Sequence, residues 1–332
     1  MNVLEQVYSI ARKHPGRVIF PEGSNEKIMR AAYETATEGY IRPILLGNRE
    51  ELRILCKERG YDENIFMIQD LSDEEYKEDL IRRYLELPEC TLSEKAVRRK
   101  INDPLSFGLI MEAAGDGDVT FAGIDYSTGD VLLKGQMFIG LKEGQKGISS
   151  IALCEIPGFE TSEGNLLALS DCAVAVNPDC EELSAIAIEA CDTMHALMGW
   201  QPRCAMISYS TLGSGTGELV EKVRKAVMIA NEKRPDLAIE GEFQLDAAIV
   251  PEVAAKKVKT ESKVAGRANI LVWPDLNVGN VAVKLIQNFG KADAYGPMLQ
   301  GFRKIVCDCS RGAPVSELKG NIIIAAARAA GE

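Results

Sequence analysis

Histidine is scarce in this 332-residue sequence, which contains only His14 and His195. Neither lies in a motif with serine and acidic residues, so the sequence suggests no Ser-His-Asp triad. Metal ligands are also poorly supplied, because the nine cysteines form no C-x-x-C pair and CDC at 307–309 has the wrong spacing. We therefore expect no metal site, and we interpret most cysteines as small core residues in a reducing compartment.

Basic runs and long apolar runs are also missing. The formal net charge is -11 and there is no Lys/Arg-rich tail, which argues against a nucleic-acid partner. The N-terminal MNVLEQVYSIARKHPG lacks the apolar core of a signal peptide, and IIIAAARAA near the C-terminus is too short to span a bilayer. We expect a cytoplasmic protein with no membrane partner. An anionic small substrate remains compatible with the charge, because local arginines and backbone N–H groups can bind a phosphate.

Strand and helix patterns alternate along the chain. The composition, 46% hydrophobic and 26% charged, fits a globular protein, and the length suggests about two domains. Helices are predicted over 3–13, 24–38, 103–115 and 180–199, and strands over 17–23, 42–48 and 119–124, with a KGQMFIG turn later. This alternation predicts an α/β fold with mainly parallel sheets. Ligand sites in such folds lie where strands end and helices begin.

Three polar turns occupy such positions: STLGSGTG (210–217), PDLNVGN (274–280) and CSRGAPVSE (309–317). After the first, the spacing of Leu219, Val223, Val227 and Ala230 predicts a helix with one buried face.

The turn STLGSGTG predicts an anion site, since its three glycines allow close backbone approach and its hydroxyls can donate. It is neither a P-loop, because no GK[ST] follows, nor the GxGxxG dinucleotide motif. Glu240 lies where a ribose-binding acid would be expected, so a dinucleotide stays open as an alternative. The other alternative is a plain glycine-rich turn.

The remaining two turns are ambiguous when taken alone. Ser310 and Arg311 follow an apolar strand, where Arg311 can bind a phosphate or carbonyl oxygen. Ser316 and Glu317 are equally typical of a helix start, where they complement the dipole. PDLNVGN is rich in residues that favour turns for conformational reasons.

Taken together and in order, the longer motifs resemble the phosphate acetyltransferase (phosphotransacetylase) family. The motifs are FPEGSNEKIMRAA, DPLSFGLIMEAAGDGDV, PRCAMISYSTLGSGTG, RPDLAIEGEFQLDAAIVPEVAAKK, SKVAGRANILVWPDLNVGN and AYGPMLQGFRKIVCDCSRG. The resemblance is strongest from about 200 to 313. It implies reversible acyl transfer between coenzyme A and inorganic phosphate, with coenzyme A as a substrate and no permanently bound cofactor.

The resemblance also implies the architecture. We expect two three-layer α/β/α domains of the isocitrate/isopropylmalate dehydrogenase type, with the active site in an interdomain cleft. The first domain would be discontinuous, comprising 1–145 plus 298–332, and the second would comprise 146–297. A homodimer is implied as well.

Site roles carried over from the family fall on three groups of residues. Ser310 and Arg311 match the catalytic Ser-Arg pair: the serine would hydrogen-bond the attacking sulfur and the arginine would hold the acyl phosphate. Glu317 would accept the thiol proton. The substrate and phosphate would be bound by Ser210, Thr211, Gly213, Ser214, Gly215, Asn277, Asn280, Tyr295 and Gly296, and coenzyme A by Thr128 and Lys134.

Three positions depart from the family pattern. Glu317 stands where the family has an aspartate, and its extra methylene moves the carboxylate. Leu133 and Pro88 stand where arginines linked to coenzyme A occur, with Lys134 beside the first and Arg82 and Arg83 near the second. The segment DVLLKGQ resembles phosphate butyryltransferases, so butyryl and propionyl groups are alternatives to acetyl.

Two rival functions follow from the same residues. A hydroxy-acid dehydrogenase would share the fold, but its metal-binding aspartates and its lysine–tyrosine pair are not found in the sequence. A non-catalytic sensor of acyl phosphate or coenzyme A would use the same turns, and the departures at Leu133 and Glu317 keep this alternative open.

Overall fold

The computed structural model describes residues 3–331, which divide into two compact units. Unit 1 comprises Met1–Lys142 and Phe302–Glu332, and unit 2 comprises Glu143–Gly301. The predicted domain bounds at 145 and 298 lie close to these positions. Unit 1 is discontinuous in sequence because the last strand and the last helix of the chain belong to it.

The chain forms thirteen α-helices and eleven strands in residues 3–331. The helices are α1 (Val3–Lys13), α2 (Glu26–Thr37), α3 (Arg49–Arg59), α4 (Glu74–Leu85), α5 (Glu94–Lys100), α6 (Pro104–Ala113), α7 (Thr128–Phe138), α8 (Cys180–Met198), α9 (Glu218–Lys233), α10 (Leu245–Ile249), α11 (Pro251–Lys257), α12 (Leu276–Phe289) and α13 (Val315–Gly331). The strands are β1 (Gly16–Phe20), β2 (Ile41–Leu46), β3 (Met67–Gln69), β4 (Val119–Ala122), β5 (Ser149–Glu155), β6 (Leu166–Ser170), β7 (Arg203–Ile207), β8 (Ala238–Phe243), β9 (Ile270–Val272), β10 (Asp293–Gln300) and β11 (Ile305–Asp308).

Unit 1 contains a five-stranded parallel sheet with the order β11-β4-β1-β2-β3. Its central strands are short apolar runs such as GRVIF and VTFA, as expected for strands covered on both faces. One group of helices, α1, α2 and α13, packs together, and another group consists of α4, α6 and α7. Gly16 of β1 faces Ala326 of α13, whereas Ile19, three residues further along the same strand, packs on Gly108 of α6, so the two groups cover opposite faces.

Unit 2 contains a six-stranded mixed sheet with the order β10-β5-β6-β9-β7-β8. The four strands β6, β9, β7 and β8 are parallel, and β5 and β10 are antiparallel to their neighbours. Trp273, Phe243 and Leu271 are among the residues that form its buried core. The predicted α/β class with mainly parallel sheets is therefore confirmed.

Several local expectations were wrong. The segment KGQMFIG lies largely within α7 and is not a turn. The helix begins at a capping box formed by Ser127 and Asp130, and its Gly135 packs so closely on Phe302 that a Cβ would approach the ring to 2.8 Å. The side chain of Leu219 was expected in a buried face but is 58% exposed, because α9 starts at Glu218 in a register that buries Val220 instead.

No helix in residues 3–331 combines the length and apolar character needed to cross a membrane.

Glu112 on α6 is fully buried, and its carboxyl oxygens accept no hydrogen bond from the part of the chain that the structure describes. Burial raises the pKa of this carboxyl to about 8. The unfolded chain ionises Glu112 near the ordinary value of 4.5, whereas the folded chain keeps it protonated. The contribution of this group to stability is therefore fully present below pH 4.5 and is lost as the pH rises through about 8.

We expect Glu112→Gln to stabilise the protein at alkaline pH, because the amide carries no charge that must be suppressed on folding. The free energy of unfolding from urea titrations should exceed that of the wild type by on the order of 4 kcal/mol at pH 8, with little difference at pH 4.5. Glu58→Gln, at an exposed position of α3, is the matched control and should show no such trend. The same difference at both pH values for Glu112→Gln would contradict the assignment.

Candidate active site

Three polar loops of unit 1 lie side by side, because they follow the neighbouring parallel strands β1, β4 and β11. They are residues 21–25, 123–127 and 309–314. The carboxyl edge of a parallel sheet is the usual place for a ligand site in α/β folds. Ser310 and Arg311 lie in the third loop.

The Ser310–Arg311 loop is held by contacts away from its functional groups. The Ser310 carbonyl accepts a hydrogen bond from the Ala313 N–H at 3.0 Å, and Nζ of Lys27 donates to the Ala313 carbonyl at 3.1 Å. Ser310 and Arg311 are both exposed. The Arg311 guanidinium forms no ion pair or hydrogen bond with any residue that the structure describes, so its donors remain available for an anion.

Glu317 lies in the first turn of α13, which begins directly after this loop. Its N–H donates to the Pro314 carbonyl at 3.1 Å, and its side chain is exposed. A carboxylate at this position complements the helix dipole, which agrees with the alternative interpretation of Glu317 as a residue typical of a helix start.

Two carboxyls that sequence reasoning missed, the buried Glu22 and the half-buried Asp308, organise the same edge of the sheet. Glu22 accepts hydrogen bonds from four consecutive N–H groups, those of residues 123–126, at 2.7–3.3 Å. Asp308 accepts a hydrogen bond from the Thr128 hydroxyl at 2.6 Å. Its other carboxyl oxygen is buried and has no hydrogen-bond partner among residues 3–331. Burial raises the pKa of both groups. Gly123 is required here, because its φ is +114° and a Cβ would lie 2.3 Å from an Asp308 oxygen.

The expected coenzyme A residues of unit 1 are already engaged. Thr128 donates to Asp308, as described above. Nζ of Lys134 pairs with Asp103 at 2.8 Å and lies 4.8 Å from the centre of the Tyr126 ring. Burial would raise the pKa of Asp103, but Lys134 and neighbouring hydrogen bonds hold it below the ordinary value. Leu133, in contrast, is 62% exposed.

The arginines near Pro88 are also paired. Arg82 contacts Asp79 at 2.5 Å and Glu86 at 3.3 Å. Arg83 contacts Asp79 at 2.8 Å and Asp116 at 2.6 Å. Their charges are therefore compensated locally.

In unit 2, the turn STLGSGTG connects β7 to α9 and surrounds a side chain of the chain itself. The buried carboxylate of Glu242, on the adjacent strand β8, accepts hydrogen bonds from the Ser210 hydroxyl at 2.7 Å and from the Gly213 N–H at 2.9 Å. Arg224 of α9 pairs with the same carboxylate at 2.9 Å. The anion that the turn surrounds in the structure is therefore an internal one, and phosphate binding by the turn stays a prediction.

Other donors of the turn form hydrogen bonds that stabilise the conformation of the turn itself. The Thr211 N–H donates to Oγ of Ser214 and the Gly215 N–H donates to Oγ of Ser210, both at 2.9 Å. Oγ1 of Thr211 donates to Gln244 at 3.2 Å. Ser214 and Thr216 face solvent.

The remaining predicted residues of unit 2 lie on α12 and β10. Asn277 is exposed in the first turn of α12, and Nδ2 of Asn280 donates to the Cys172 carbonyl at 3.1 Å. PDLNVGN is therefore largely helical and not a free turn. Tyr295 and Gly296 are half-buried at a bulge of β10, where the φ of Gly296 is +122°. The roles assigned to all these residues stay predictions.

Within residues 3–331, no cluster of three or more His, Cys, Asp or Glu side chains is arranged to hold a metal ion.

Comparisons with known proteins agree with the resemblance seen in the sequence. The family described as "Phosphate acetyl/butaryl transferase" matches residues 2–326. A phosphate acetyltransferase of Acetivibrio thermocellus is 38% identical over 330 residues, covering 99% of this chain and 98% of that protein. The crystal structure of a phosphotransacetylase from Streptococcus pyogenes superposes with a TM-score of 0.91 at 33% identity, covering 98% of each chain.

A 4-hydroxythreonine-4-phosphate dehydrogenase from Burkholderia phymatum, 13% identical over 96% of this chain and 98% of its own, has a TM-score of 0.52 and shares the fold alone. The family match and the identity over nearly the full chain decide the assignment. The chain belongs to the phosphate acetyl/butyryl transferase family and is an acyltransferase.

Proposed function

We propose that this enzyme transfers a short acyl group, with acetyl preferred, reversibly between coenzyme A and inorganic phosphate. The observation that carries the proposal in unit 1 is the uncompensated guanidinium of Arg311, next to Ser310 at the carboxyl end of β11. An arginine with free donors suits an acyl phosphate, which presents both a phosphate and a carbonyl oxygen.

The proposed chemistry uses three residues of this loop and the helix after it. Glu317 accepts the proton of the coenzyme A thiol, and the Ser310 hydroxyl hydrogen-bonds the sulfur. The thiolate attacks the carbonyl carbon of the acyl phosphate, forming the C–S bond. The C–O bond to phosphate then breaks, and phosphate leaves with the bonding electron pair. Arg311 stabilises the negative charge that develops on the carbonyl oxygen.

The thiol is a much weaker acid than a carboxylic acid, with pKa values of about 8.5 and 4.3 in model compounds. Proton transfer to Glu317 is therefore favourable only if the thiolate is stabilised, and the Arg311 charge is the group available in this loop. The turn STLGSGTG with Asn277, Asn280, Tyr295 and Gly296 is the proposed phosphate-binding part of unit 2. Butyryl and propionyl groups remain the alternatives, because one methylene changes binding by only about 1–3 kcal/mol.

We expect Arg311→Ala to lower kcat for acetyl phosphate formation by roughly 100- to 1,000-fold, the usual cost of losing one transition-state donor. The measurement is phosphate-dependent release of free coenzyme A from acetyl-, propionyl- and butyryl-CoA. Arg30→Ala, at an exposed ion pair on α2, is the matched control and should keep full activity.

Glu317→Gln belongs to the same series and should lower kcat in the thiol direction by roughly 100- to 10,000-fold, because the amide cannot accept the thiol proton. A wild-type enzyme that binds coenzyme A but turns over none of the three thioesters would refute the proposal and favour the sensor function instead.

We propose that coenzyme A passes α7, where Thr128, Leu133 and Lys134 lie. Because the charge of Lys134 is shared with Asp103 and Leu133 offers none, the cofactor's phosphates meet little positive charge on this helix.

We expect Leu133→Arg to lower KM for coenzyme A by about 1.4- to 5-fold without changing kcat, since one exposed ion pair contributes about 0.2–1 kcal/mol. The exposed position tolerates the change. Leu133→Gln removes the same apolar surface without adding charge, and its KM should stay at the wild-type value. Equal KM values for the two variants would exclude this path for the cofactor.

The proposed homodimer uses an apolar stripe on α12. Val278, Val281, Leu285 and Phe289 lie three or four residues apart and are all exposed, Phe289 by 82%. We expect Leu285→Glu to convert a dimeric mass into a monomeric one in light scattering. Gln287→Glu, on another side of α12, should leave the mass unchanged, and a dimeric Leu285→Glu variant would place the interface elsewhere.

A cytoplasmic location is proposed on the state of the cysteines. All nine are free thiols and most are buried, which suits a reducing compartment.

A further inference from the structure

Glu242 is the most constrained carboxylate in the part of unit 2 that carries the predicted phosphate-binding turn. Glu242 is 1% exposed. Its carboxylate accepts hydrogen bonds from the Ser210 hydroxyl, the Gly213 N–H and two nitrogens of Arg224. Its backbone carbonyl also accepts the Leu212 N–H at 3.1 Å. A single residue of β8 therefore accepts hydrogen bonds from three residues of the turn after β7, namely Ser210, Leu212 and Gly213.

The charge of Glu242 is retained in this buried place because it is compensated. Burial acts to raise its pKa, but Arg224, Ser210 and the Gly213 N–H outweigh burial and bring the pKa below the ordinary value. Arg224 is itself fixed by Glu221 at 2.8 Å. An ion pair with this many hydrogen bonds resists rearrangement, because breaking one partner leaves the other charge buried and unpaired.

The hydrogen bonds continue from Glu242 into the rest of the turn. Oγ of Ser210 donates to Glu242 and accepts the Gly215 N–H, so the carboxylate also orders Gly215 indirectly. Leu212 lies between these anchored residues with a φ of +43°, a backbone conformation that must be held by its neighbours. Without the internal anion, the Ser210 hydroxyl and the Gly213 N–H would lose this acceptor.

We propose that Glu242 is a positioning residue for phosphate, an inference that rests on the proposed function. Its carboxylate fills the inner part of the STLGSGTG turn permanently and fixes the outer part, where the hydroxyls of Ser214 and Thr216 face solvent. Substrate phosphate binds to this outer part and does not displace the carboxylate. Ser210 and Gly213 then act on phosphate through Glu242, not by direct contact.

The test is Glu242→Gln, which keeps the volume but removes the charge and places an amide donor against the Arg224 donors. With acetyl-CoA saturating, KM for phosphate should rise at least about 10-fold, because binding that depends on a prearranged site is lost when the site must be ordered first. The KM for acetyl-CoA should stay within about 2-fold, the result expected when only phosphate binding is affected. Glu240→Gln is the matched control on the same strand, since its carboxylate contacts Ser262 and the Lys263 N–H outside the turn.

Two results would overturn the proposal. A purely structural role would lower the melting temperature and the active fraction while leaving KM for phosphate unchanged. A carboxylate that competes with phosphate would make Glu242→Gln bind phosphate more tightly. If this variant does not fold, Arg224→Gln weakens the same carboxylate from the half-exposed side of α9 and should raise the same KM.

A double-mutant cycle separates indirect from direct contact. If Ser210 acts through Glu242, Ser210→Ala should raise KM for phosphate in the wild type but add nothing in Glu242→Gln. Additive effects would mean that Ser210 contacts phosphate itself and would refute the proposed indirect role.

Calorimetric titration with inorganic phosphate distinguishes this inference from the proposed function. A wild type that binds phosphate without turnover, together with weaker binding by Glu242→Gln, would contradict the proposed reaction and leave the positioning role intact. Normal turnover by the wild type, with equal phosphate affinity in both proteins, would do the reverse.

Discussion

Backbone N–H groups in the loops after buried parallel strands need acceptors, and in this chain buried carboxylates supply many of them. Glu22 accepts four N–H groups of the loop after β4, and Asp171 accepts three N–H groups of residues 173–175. In the turn after β7, the Glu242 carboxylate accepts the Gly213 N–H and the Ser210 hydroxyl. Each of these acids follows or ends a strand, so the sheets fix where the acceptors lie and the acceptors fix the loops.

This arrangement reconciles a net charge of -11 with loops suited to anionic substrates. A carboxylate that is surrounded by N–H dipoles or paired with an arginine repels a nearby anion only weakly. Its negative charge is offset by donors in direct hydrogen-bond contact. What a substrate meets is then decided by the few groups that are not compensated. In the loop after β11 that group is Arg311, whereas Lys134, Arg82 and Arg83 are neutralised by neighbouring acids.

The sequence predicted the parts of this structure that depend on local signals. The bounds of α1 and α8 agree with the apolar periodicity and, for α8, with the flanking proline and glycine. The turn predicted at KGQMFIG was wrong, because the Ser127–Asp130 cap starts a helix that continues through Gly135. Periodicity failed at Leu219, where a shift of one residue in the helix start changed the buried face. The positions of Ser310, Arg311 and Glu317 near one strand end were predictable from the order of motifs.

The carboxylates that hold the loops were not predictable from the sequence. Glu22 and the N–H groups it accepts are about a hundred residues apart, and Glu242 and Ser210 are 32 apart, so only the strand order brings them together. A signal did exist in GEFQ and FPEG, because a charged residue inside or directly after a buried strand requires a partner.

The discontinuity of unit 1 has a consequence for the order in which the chain is assembled. During synthesis β4 emerges with one edge unpaired, and its partner β11 follows only after all of unit 2 has been made. Unit 2 can therefore complete its sheet while the sheet of unit 1 still has an open edge, which is a template for unwanted strand pairing. The loop with Ser310 and Arg311 is added together with β11, so this strand both covers the edge of β4 and delivers the proposed catalytic residues.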